Sequence, residues 1–431
     1  MKKFIASTLS LLLIFTMSLT AFAANPVPAT SEWLSAWAER ASASGKIWQL
    51  PGKDANDRTF NWMSGDNKNT FTYSDGTDAF TVTAKSSLLI NGILNTVELT
   101  DLPDGNYTYS YTADSAVYNG SFTVNTSSTS FTAMFCSDPQ LGRSGDDSEE
   151  AVQNDTYGWE RTLISATNNG AELILSAGDQ VNDGFSGKQY NALFSPAALS
   201  TVPFAPTAGN HDFYSPLFPL YFDNAGADSF GNNYYFSYNN ALFIVLDSNN
   251  IIQPVHNMTI SKAISDYPDA TWRVVMLHHG AYSSCAEDDT ITQICTYSLK
   301  SLFDKYDIDL VLSGHNHFYS RTYPIFNGGI STIGTVYFEA GSASGGKCSS
   351  YDTSDNGLIV KSVDLGVASY SLLTFTEETI EIKSYITDTG EVFDSFTVVS
   401  TDDADASEAG LFAAVIRFFS NILSVIPSLF G

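Results

Sequence analysis

The feature that most constrains the fold is a repeated pattern in which a short apolar run is followed by a polar cluster. The runs are rich in β-branched or aromatic residues, as expected for buried strands, and are Phe131 to Cys136, Ala171 to Leu175, Leu242 to Leu246, Arg273 to Leu277 and Leu310 to Leu312. Helical patterns lie between them, at Glu149 to Thr167, Ser261 to Tyr267 and Thr296 to Tyr306. This alternation predicts a layered α/β domain whose ligand site lies at the carboxyl ends of its strands.

The polar clusters carry five of the six histidines in the chain. The clusters are Ser137-Asp138-Pro139-Gln140, Ala177 to Asn182, Ala208 to Asp212, Leu277-His278-His279-Gly280 and Ser313 to His317. Because each one ends a predicted strand or contains a glycine turn, all five can meet at one edge of the domain. Their carboxylates, amide oxygens and imidazoles form a ligand set suited to two divalent or trivalent transition-metal ions.

The order of these clusters resembles a known family. The series D-x-Q, G-D-x-x-N, G-N-H-D, H-H-G and G-H-x-H resembles the calcineurin-like metallophosphoesterase superfamily, and Gly314 to Pro324 together with Ala281 to Ser284 resembles its purple acid phosphatase-like branch. The resemblance implies a four-layer α/β fold, in which a β-sandwich is flanked by helices, for residues 129–399. It also implies hydrolysis of phosphate esters by a hydroxide that bridges two metal ions.

The resemblance further implies roles for individual residues. Asp179 would bridge the two ions, Asp138 and His317 would complete one of them, and Asn210, His278 and His315 the other. His211 would act as general acid or phosphate hydrogen-bond donor, and Asp212 would orient it. The implied cofactors are two ions of manganese, zinc or iron.

Two positions depart from the purple acid phosphatase pattern. Asn182 replaces a tyrosine that binds ferric iron, and Gln140 stands where the superfamily has a histidine. Either amide could supply a weak oxygen ligand, so we expect an uncoloured enzyme that contains manganese, zinc or ferrous iron.

The remaining polar residues near the motifs have less specific interpretations. Tyr282 and Asn316 are candidates for the pocket wall, and Arg321 contacts either phosphate or a buried acid. We expect His279 to point away from the ions, His256 to lie on the surface, and Gly341 to Gly346 to form a flexible loop at the pocket mouth.

The N-terminal quarter of the chain has a different pattern. Residues 1–23 predict a cleaved signal peptide, with an uncleaved membrane anchor as the alternative, and hence a secreted or extracellular protein. Residues 24–128 contain short alternating runs that predict a β-sandwich resembling fibronectin-III or immunoglobulin modules, with a tyrosine corner at Leu102 to Tyr107. Trp33, Trp37 and Trp48 are expected to pack in a core.

The C-terminal segment and the cysteines complete the predictions. Residues 400–431 are predicted to form an acidic linker and an amphipathic tail. The tail, residues 409–431, either docks on the body or tethers the protein to a membrane or the cell envelope. Cys285 and Cys295 are the expected disulfide pair, and Cys136 a buried free thiol.

The charge of the chain limits its partners. With 47 acidic and 20 basic side chains, the net charge of −27 disfavours nucleic acids, so the predicted partner is a small phosphate ester. Attraction of that anion must be local to the metal ions.

The sequence therefore predicts a secreted phosphate monoesterase. The alternatives are a phosphodiesterase or nucleotidase that uses the same metal site, and a surface-binding protein with a vestigial metal domain.

Overall fold

Strand pairing in the computed structural model separates an N-terminal β-module from a larger body built on two sheets. The structure describes residues 28–42, 44–89, 92–224, 226–227, 232–282, 290–346 and 357–400. The predicted signal peptide, the tail 409–431 and Cys285 of the predicted disulfide lie outside these residues. None of the helices within them is long and apolar enough to cross a membrane.

The N-terminal module contains two four-stranded antiparallel sheets, with strand orders β1-β2-β6-β5 and β4-β3-β7-β8. Its elements are α1 (Ser31–Ser35), α2 (Trp37–Arg40), β1 (Ile47–Pro51), β2 (Arg58–Ser64), β3 (Thr70–Ser74), β4 (Ala79–Thr83), β5 (Lys85–Leu89), β6 (Gly92–Leu99), β7 (Gly105–Ala113) and β8 (Ala116–Val124). Phe60, Phe71 and Phe122 belong to one aromatic core. The Tyr107 hydroxyl donates to the Pro103 carbonyl at 2.7 Å, which is the predicted corner.

Aromatic side chains join this module to the body. The Trp48 ring stacks on Phe194, with ring centroids 3.8 Å apart. The Trp37 indole N–H donates to Glu149 Oε1 at 2.9 Å, and the Tyr109 hydroxyl donates to the Ser200 carbonyl at 2.9 Å. Trp33, Trp37 and Trp48 are all buried, so the packing role expected for them is confirmed.

The body alternates strands with helices. Its strands are β9 (Phe131–Cys136), β10 (Leu173–Ser176), β11 (Phe204–Pro206), β12 (Tyr234–Tyr238), β13 (Ala241–Val245), β14 (Trp272–His279), β15 (Leu310–Gly314), β16 (Tyr319–Thr322), β17 (Ile325–Phe326), β18 (Gly329–Ile330), β19 (Val336–Glu339), β20 (Ile359–Val363), β21 (Ser369–Phe375), β22 (Thr379–Ile386) and β23 (Val392–Val399). Its helices are α3 (Glu149–Asn168), α4 (Gly187–Leu193), α5 (Asn210–Phe213), α6 (Leu217–Tyr221), α7 (Gln253–Asp266) and α8 (Thr290–Lys305), with short 3-10 segments at Arg143–Gly145 and Ala197–Ser200.

Two mixed sheets form the centre of the body, with orders β11-β10-β9-β21-β22-β23 and β12-β13-β14-β15-β19-β16-β20. Phe135, Phe243 and Phe338 belong to the core between them. Helix α3 packs through Trp159 in one outer layer, and α8 packs through Phe303 in the other. The expected sheet-rich α/β fold is confirmed. Strands β9, β10 and β11 run parallel, as do β13, β14, β15 and β19, so their carboxyl ends supply the loops of the site.

The Gly341 to Gly346 segment differs from its prediction as a flexible loop. Its residues are buried except for Gly346, which is half-buried. The Ala343 N–H donates to the Ser137 carbonyl at 2.8 Å, and the Ser342 hydroxyl donates to the Asp138 carbonyl at 3.0 Å. The segment therefore supports the Asp138 loop from behind, because its small residues allow close backbone packing.

His256 also differs from its prediction as a surface residue. It lies on α7 and is only 1% exposed, with Nε2 at 2.5 Å from the Asn250 carbonyl. The sequence around His256 is polar and does not indicate a helix there. The first turn of α7 nevertheless packs against the preceding loop. Cys136, by contrast, is a buried free thiol on β9, as predicted, and burial raises its pKa.

Arg321 forms the buried ion pair that was one of its two predicted roles. Its Nε donates to Asp394 Oδ2 at 2.6 Å, and the Tyr319 hydroxyl donates to the same oxygen at 2.6 Å. Burial opposes ionisation of Asp394, but the Arg321 guanidinium holds its pKa below the ordinary value. Because this pairing occupies the guanidinium on β16, the alternative of phosphate contact is not supported.

Asp155 on α3 is a buried acid that contacts the loop following Gln140. It is 1% exposed, and its Oδ2 accepts the backbone N–H groups of Gly142 at 2.9 Å and Ser144 at 3.1 Å. Burial raises the pKa of Asp155 to about 6, although these hydrogen bonds act in the opposite direction. The carboxyl group therefore titrates at higher pH in the folded protein than in the unfolded chain.

This shift predicts a pH-dependent stability. Folding favours protonated Asp155, so its contribution is present at low pH and is lost as the pH rises through about 6. Between pH 4.5 and 7.5 the free energy of unfolding should fall by about 2 kcal/mol because of this group. Asp155→Asn should remove that fall, as measured by urea unfolding of metal-free protein at both pH values. The exposed Asp269→Asn is the control, and an equal pH dependence in wild type and Asp155→Asn would contradict the assignment.

Candidate metal centre

The loops that follow β9, β10 and β15 have unusual backbone conformations. Asp138, Asp179, His315 and His317 adopt positive φ angles of 50°, 47°, 78° and 59°, which non-glycine residues rarely do. The Asp138 N–H donates to the Gly178 carbonyl at 3.1 Å, and the Gln140 N–H donates to the Asp179 carbonyl at 2.9 Å. Such backbone strain concentrates at functional sites because the surrounding contacts must hold it in place.

Three motif glycines are required by close packing at this edge. A Cβ at Gly178 would lie 2.3 Å from His278 Nδ1, one at Gly209 would lie 2.0 Å from Asp179 Oδ1, and one at Gly314 would lie 1.7 Å from the Ser137 hydroxyl oxygen. Any side chain at these positions would displace a polar group of the site. The glycines of the sequence motifs thus allow the polar clusters to converge.

One group of ligand atoms surrounds Asn210. Its Oδ1 lies 3.1 Å from both His278 Nε2 and His315 Nδ1, and His278 Nε2 lies 3.4 Å from Asp179 Oδ1. Atoms that bind one ion at about 2.0–2.2 Å lie roughly 3 Å apart, so this spacing fits a metal ion. His278 Nδ1–H donates to the Ala177 carbonyl at 2.8 Å, which leaves Nε2 as the ligand atom.

A second group surrounds Asp138. Its Oδ2 accepts the Ser137 hydroxyl and the His315 N–H, but its Oδ1 is buried without a hydrogen-bond partner. That oxygen lies 3.5 Å from His317 Nε2. A buried carboxylate oxygen left without a donor beside an imidazole nitrogen fits a cation, because an unpaired buried charge is costly. The residues present therefore fit two metal ions, one at each group.

The electrostatics of the site also require positive charge. Asp138 and Asp179 are almost fully buried. Burial opposes ionisation of Asp179, but His278 and then His211 lower its pKa below the ordinary value. Burial likewise lowers the pKa of His278, but the carboxylates, Asp179 above all, outweigh this effect and raise it to about 10. The carboxylates thus favour a protonated, positively charged His278. Bound metal ions would supply this positive charge instead.

A chain of amide hydrogen bonds orients Gln140. The Asp183 N–H donates to Gln189 Oε1 at 2.8 Å, and Gln189 Nε2 donates to Asp147 Oδ1 at 2.6 Å. The same carboxylate oxygen accepts Asn182 Nδ2 at 2.9 Å, so Asn182 Oδ1 must accept, and it does so from Gln140 Nε2 at 3.3 Å. Gln140 Oε1 is left buried without a hydrogen-bond partner. Of the two predicted amide ligands, Gln140 has the open oxygen.

His211 and Asp212 occupy the first turn after β11. The His211 N–H donates to Asp179 Oδ1 at 2.9 Å, and its ring Nδ1 lies 2.6 Å from the Asn182 carbonyl. Because a carbonyl only accepts, Nδ1 carries the proton and Nε2 remains available, 4.0 Å from Asp179 Oδ2 on a ring that is 31% exposed. The carbonyl of Asn182, and not Asp212 as predicted, orients this ring.

Asp212 has a structural contact instead. It is the third residue of α5, and its carboxylate accepts the N–H groups of Gly209 at 3.0 Å and Gln180 at 3.1 Å. A carboxylate at this position reaches back to the helix start, which turns it away from His211. Burial and then repulsion by Asp179 raise the pKa of Asp212.

Other side chains around the centre make contacts that the sequence motifs do not reveal. His279 does not point away from the centre as expected, because ligand atoms of His278, His279 and His315 lie within 4.8 Å of one another. Ser248, in the loop after β13, lies with its hydroxyl oxygen 2.8 Å from His279 Nδ1. Asn316 Nδ2 donates to Glu339 Oε1 at 2.6 Å, at the end of β19. The Tyr282 ring packs on Tyr337, with centroids 4.6 Å apart. Ser248 and Glu339 follow or end parallel strands, so the strand-end rule that selected the candidate ligands could also have selected them.

Comparisons with known proteins agree with this geometry. Residues 131–319 match the family model of the calcineurin-like phosphoesterases. The chain is 27% identical over 164 residues to human acid phosphatase type 7, and 24% identical over 248 residues to an Arabidopsis thaliana protein named probable inactive purple acid phosphatase 1. These alignments include 33% and 49% of this chain, but only 37% and 40% of the two relatives.

A solved structure extends the comparison to the fold. The purple acid phosphatase PPD1 from yellow lupin (Lupinus luteus) seeds superposes with a TM-score of 0.68 at 17% sequence identity, covering 82% of this chain and 74% of that one. At this identity the likeness concerns the fold alone. The chain therefore contains a calcineurin-like metallophosphoesterase domain and has purple acid phosphatase-like homologues.

Proposed function

We propose that this protein is a secreted, metal-dependent phosphatase that hydrolyses phosphate monoesters. The observation that carries the proposal is the convergence of the motif donors, above all Asp138 Oδ1, which is buried without a hydrogen bond beside His317 Nε2. In the reaction, water forms a bond to phosphorus, the bond from phosphorus to the ester oxygen breaks, and the leaving alcohol gains a proton. A monoester and water thus yield an alcohol and inorganic phosphate.

The proposed ligand residues would hold two ions, and Asp179 would be shared between them. Asp138, Gln140 and His317 would hold one ion, and Asn210, His278 and His315 the other. When bound, the two ions supply positive charge to the phosphate oxygens and lower the pKa of a water molecule. Gln140 is assigned as a ligand because its Oε1 has no hydrogen-bond partner. Its Nε2 donates to Asn182, and Asn182 is in turn held by Asp147.

His211 is the proposed proton donor to the leaving group. Its Nδ1–H is fixed on the Asn182 carbonyl, so Nε2 is the ring nitrogen that can meet a substrate, on a side chain that is partly exposed. A protonated Nε2 can donate to a phosphate or leaving-group oxygen there. Its backbone N–H donates to Asp179 Oδ1, which keeps the imidazole beside the proposed bridging carboxylate.

The experiment is a phosphate-release assay on protein reconstituted with manganese, zinc or ferrous iron. We expect p-nitrophenyl phosphate to be hydrolysed faster than bis(p-nitrophenyl) phosphate by an uncoloured enzyme. Faster cleavage of the bis ester would favour the phosphodiesterase alternative, and no cleavage with any metal would favour the vestigial domain. A purple preparation would indicate a tyrosinate bound to ferric iron. It would contradict the expectation that the site has Gln140 and Asn182 and no such tyrosinate.

The Gln140 assignment predicts a metal-binding defect. Gln140→Ala should weaken binding of one of the two ions by about 10- to 100-fold, because it removes a ligand oxygen. Gln140→His should restore or exceed wild-type affinity, since imidazole is a stronger ligand. Titration calorimetry with Zn²⁺ measures both. Gln253→Ala, whose amide contacts Ser298 on α8, is the control, and unchanged affinity in Gln140→Ala would refute the ligand role.

Export, the identity of the N-terminal module and the tail remain proposals from the sequence. Residues 1–23 support secretion, and the tyrosine corner at Tyr107 supports a fibronectin-III-like module at residues 24–128. If residues 409–431 tether the protein to the cell envelope, deleting them should release it into the medium. A shortened protein that stays with the cells would contradict the tether.

A further inference from the structure

A cleft of 340 Å³ is lined in part by α5, the short helix that carries the proposed catalytic histidine. Phe213 of α5, two residues after His211, and Ile251 and Ile252 contribute its apolar lining. Asn232, Asp247 and Asn249 contribute polar groups. The volume falls within the range of small-molecule sites, and its place next to α5 puts it at the side of the metal centre that carries Asn210 and His211.

The polar groups of the cleft are organised around Asp247, which is 4% exposed. One of its carboxylate oxygens accepts both the backbone N–H and the side-chain Nδ2 of Asn249, at 3.0 Å and 2.8 Å. The other accepts Asn232 Nδ2 at 2.9 Å. Because its amide nitrogen is committed to Asp247, Asn232 is left with an Oδ1 that is buried without a hydrogen-bond partner. The cleft thus holds an acceptor that an incoming hydroxyl or amino group can satisfy.

Asn249 also connects the cleft to the metal centre. Its Nδ2 lies 3.3 Å from the Gly209 carbonyl, and Gly209 directly precedes the proposed ligand Asn210. The cleft and the candidate metal centre therefore share the segment from Gly209 to Phe213. This continuity makes the cleft a site for the leaving group, the part of a phosphate ester beyond the cleaved bond.

The chemistry of the walls restricts which leaving group fits. Phe213, Ile251 and Ile252 are 38%, 49% and 56% exposed, so they present apolar surface that a flat ring can cover. Among the described residues that line the cleft, Asp247 is the sole charged group, and no lysine or arginine accompanies it. A second phosphate or a carboxylate on the leaving group would be repelled, whereas hydroxyl and amino groups would find acceptors.

We infer that this cleft is the leaving-group subsite of the proposed phosphatase and that it accepts an uncharged nucleoside. The flat base lies against Phe213, and a hydroxyl or amino group donates to Asn232 Oδ1. The substrates of this class are nucleoside monophosphates, which are phosphate monoesters, so the subsite would join the proposed function to the nucleotidase alternative. The inference rests on the proposed function, but nucleoside binding itself requires neither the metal ions nor turnover.

The test uses adenosine as the probe, because it lacks the phosphate that metal ions would bind. Calorimetry on the full chain, with and without Zn²⁺, should detect adenosine in both states. Phe213→Ala should weaken this binding by at least about 10-fold, a size typical of the loss of one base-stacking contact. The matched control is Phe326→Ala, since Phe326 is 41% exposed, close to the 38% of Phe213, and is absent from the cleft wall, and it should leave the affinity unchanged.

Turnover provides the second measurement. The metal-loaded enzyme should prefer AMP over glucose 6-phosphate and 3-phosphoglycerate by at least about 10-fold in kcat/KM, and Phe213→Ala should reduce this preference. Ile252→Lys adds a cation at an exposed position. In this variant the ratio of kcat/KM for AMP to kcat/KM for 3-phosphoglycerate should also fall. Absence of adenosine binding, or equal binding by wild type and Phe213→Ala, overturns the subsite. Adenosine binding without hydrolysis of any ester supports the subsite and rejects the proposed function alone.

Discussion

Asp179→Asn should abolish both metal binding and phosphate release. The substitution keeps the size of the side chain and an oxygen for the His211 N–H, but it removes the charge that the two proposed ions share. Ligand atoms of Asp138, Asp179 and His278 lie within 4.8 Å of one another, so Asp179 is close to a member of each ligand group. We therefore expect loss of both ions and a fall in kcat/KM of at least roughly 10³-fold. Elemental analysis of metal content and p-nitrophenyl phosphate turnover measure the two effects.

Asp183→Asn is the matched control for this prediction. Asp183 lies four residues further along the same loop, is exposed, and its carboxylate accepts the Phe185 N–H. It should retain metal and activity. If Asp179→Asn kept two ions per chain and wild-type turnover, the shared-carboxylate assignment would be wrong, and the loop would have only a structural role.

The convergence of the proposed ligand residues could be predicted from sequence because their placement depends on local rules. A polar residue that follows a buried parallel strand lies at the carboxyl edge of the sheet, which places Asp138, Asp179 and His315 together. Glycines next to these residues indicate where the backbone must pass close to another group, as Gly178 does at His278. Such information is contained within a few residues of each motif.

Other features depend on partners that are distant in sequence. Arg321 is separated by 73 residues from Asp394, and no local pattern selects that acid over the many others. Asp212 turns toward the start of α5 because it is the third residue of a short helix, and the length of that helix is not evident from the sequence. The chain of hydrogen bonds from Asp147 through Asn182 to Gln140 likewise joins separate loops. Sequence alone therefore left Gln140 and Asn182 as equal alternatives for the amide ligand.

Gly209→Ala is the second large effect that we expect. Gly209 has an ordinary φ of −92°, so alanine causes no backbone strain and the test is purely steric. Its Cβ would lie 2.0 Å from Asp179 Oδ1 and 2.2 Å from the Asp179 backbone nitrogen. The β10 and β11 loops must move apart, which should weaken metal binding and lower kcat/KM by roughly 10²-fold or more.

Stability measurements separate this effect from general unfolding. Overpacking of this kind costs about 1–3 kcal/mol, which urea unfolding of the metal-free protein can measure. Gly329→Ala is the matched control, because its nearest atom would be 3.9 Å away and its φ is not positive. A Gly209→Ala protein that is folded but lacks metal and activity would show that close approach of these two loops is needed for the centre. Wild-type metal content and turnover in that variant would mean that the loops tolerate separation, and the proposed bridging position of Asp179 would then be untenable.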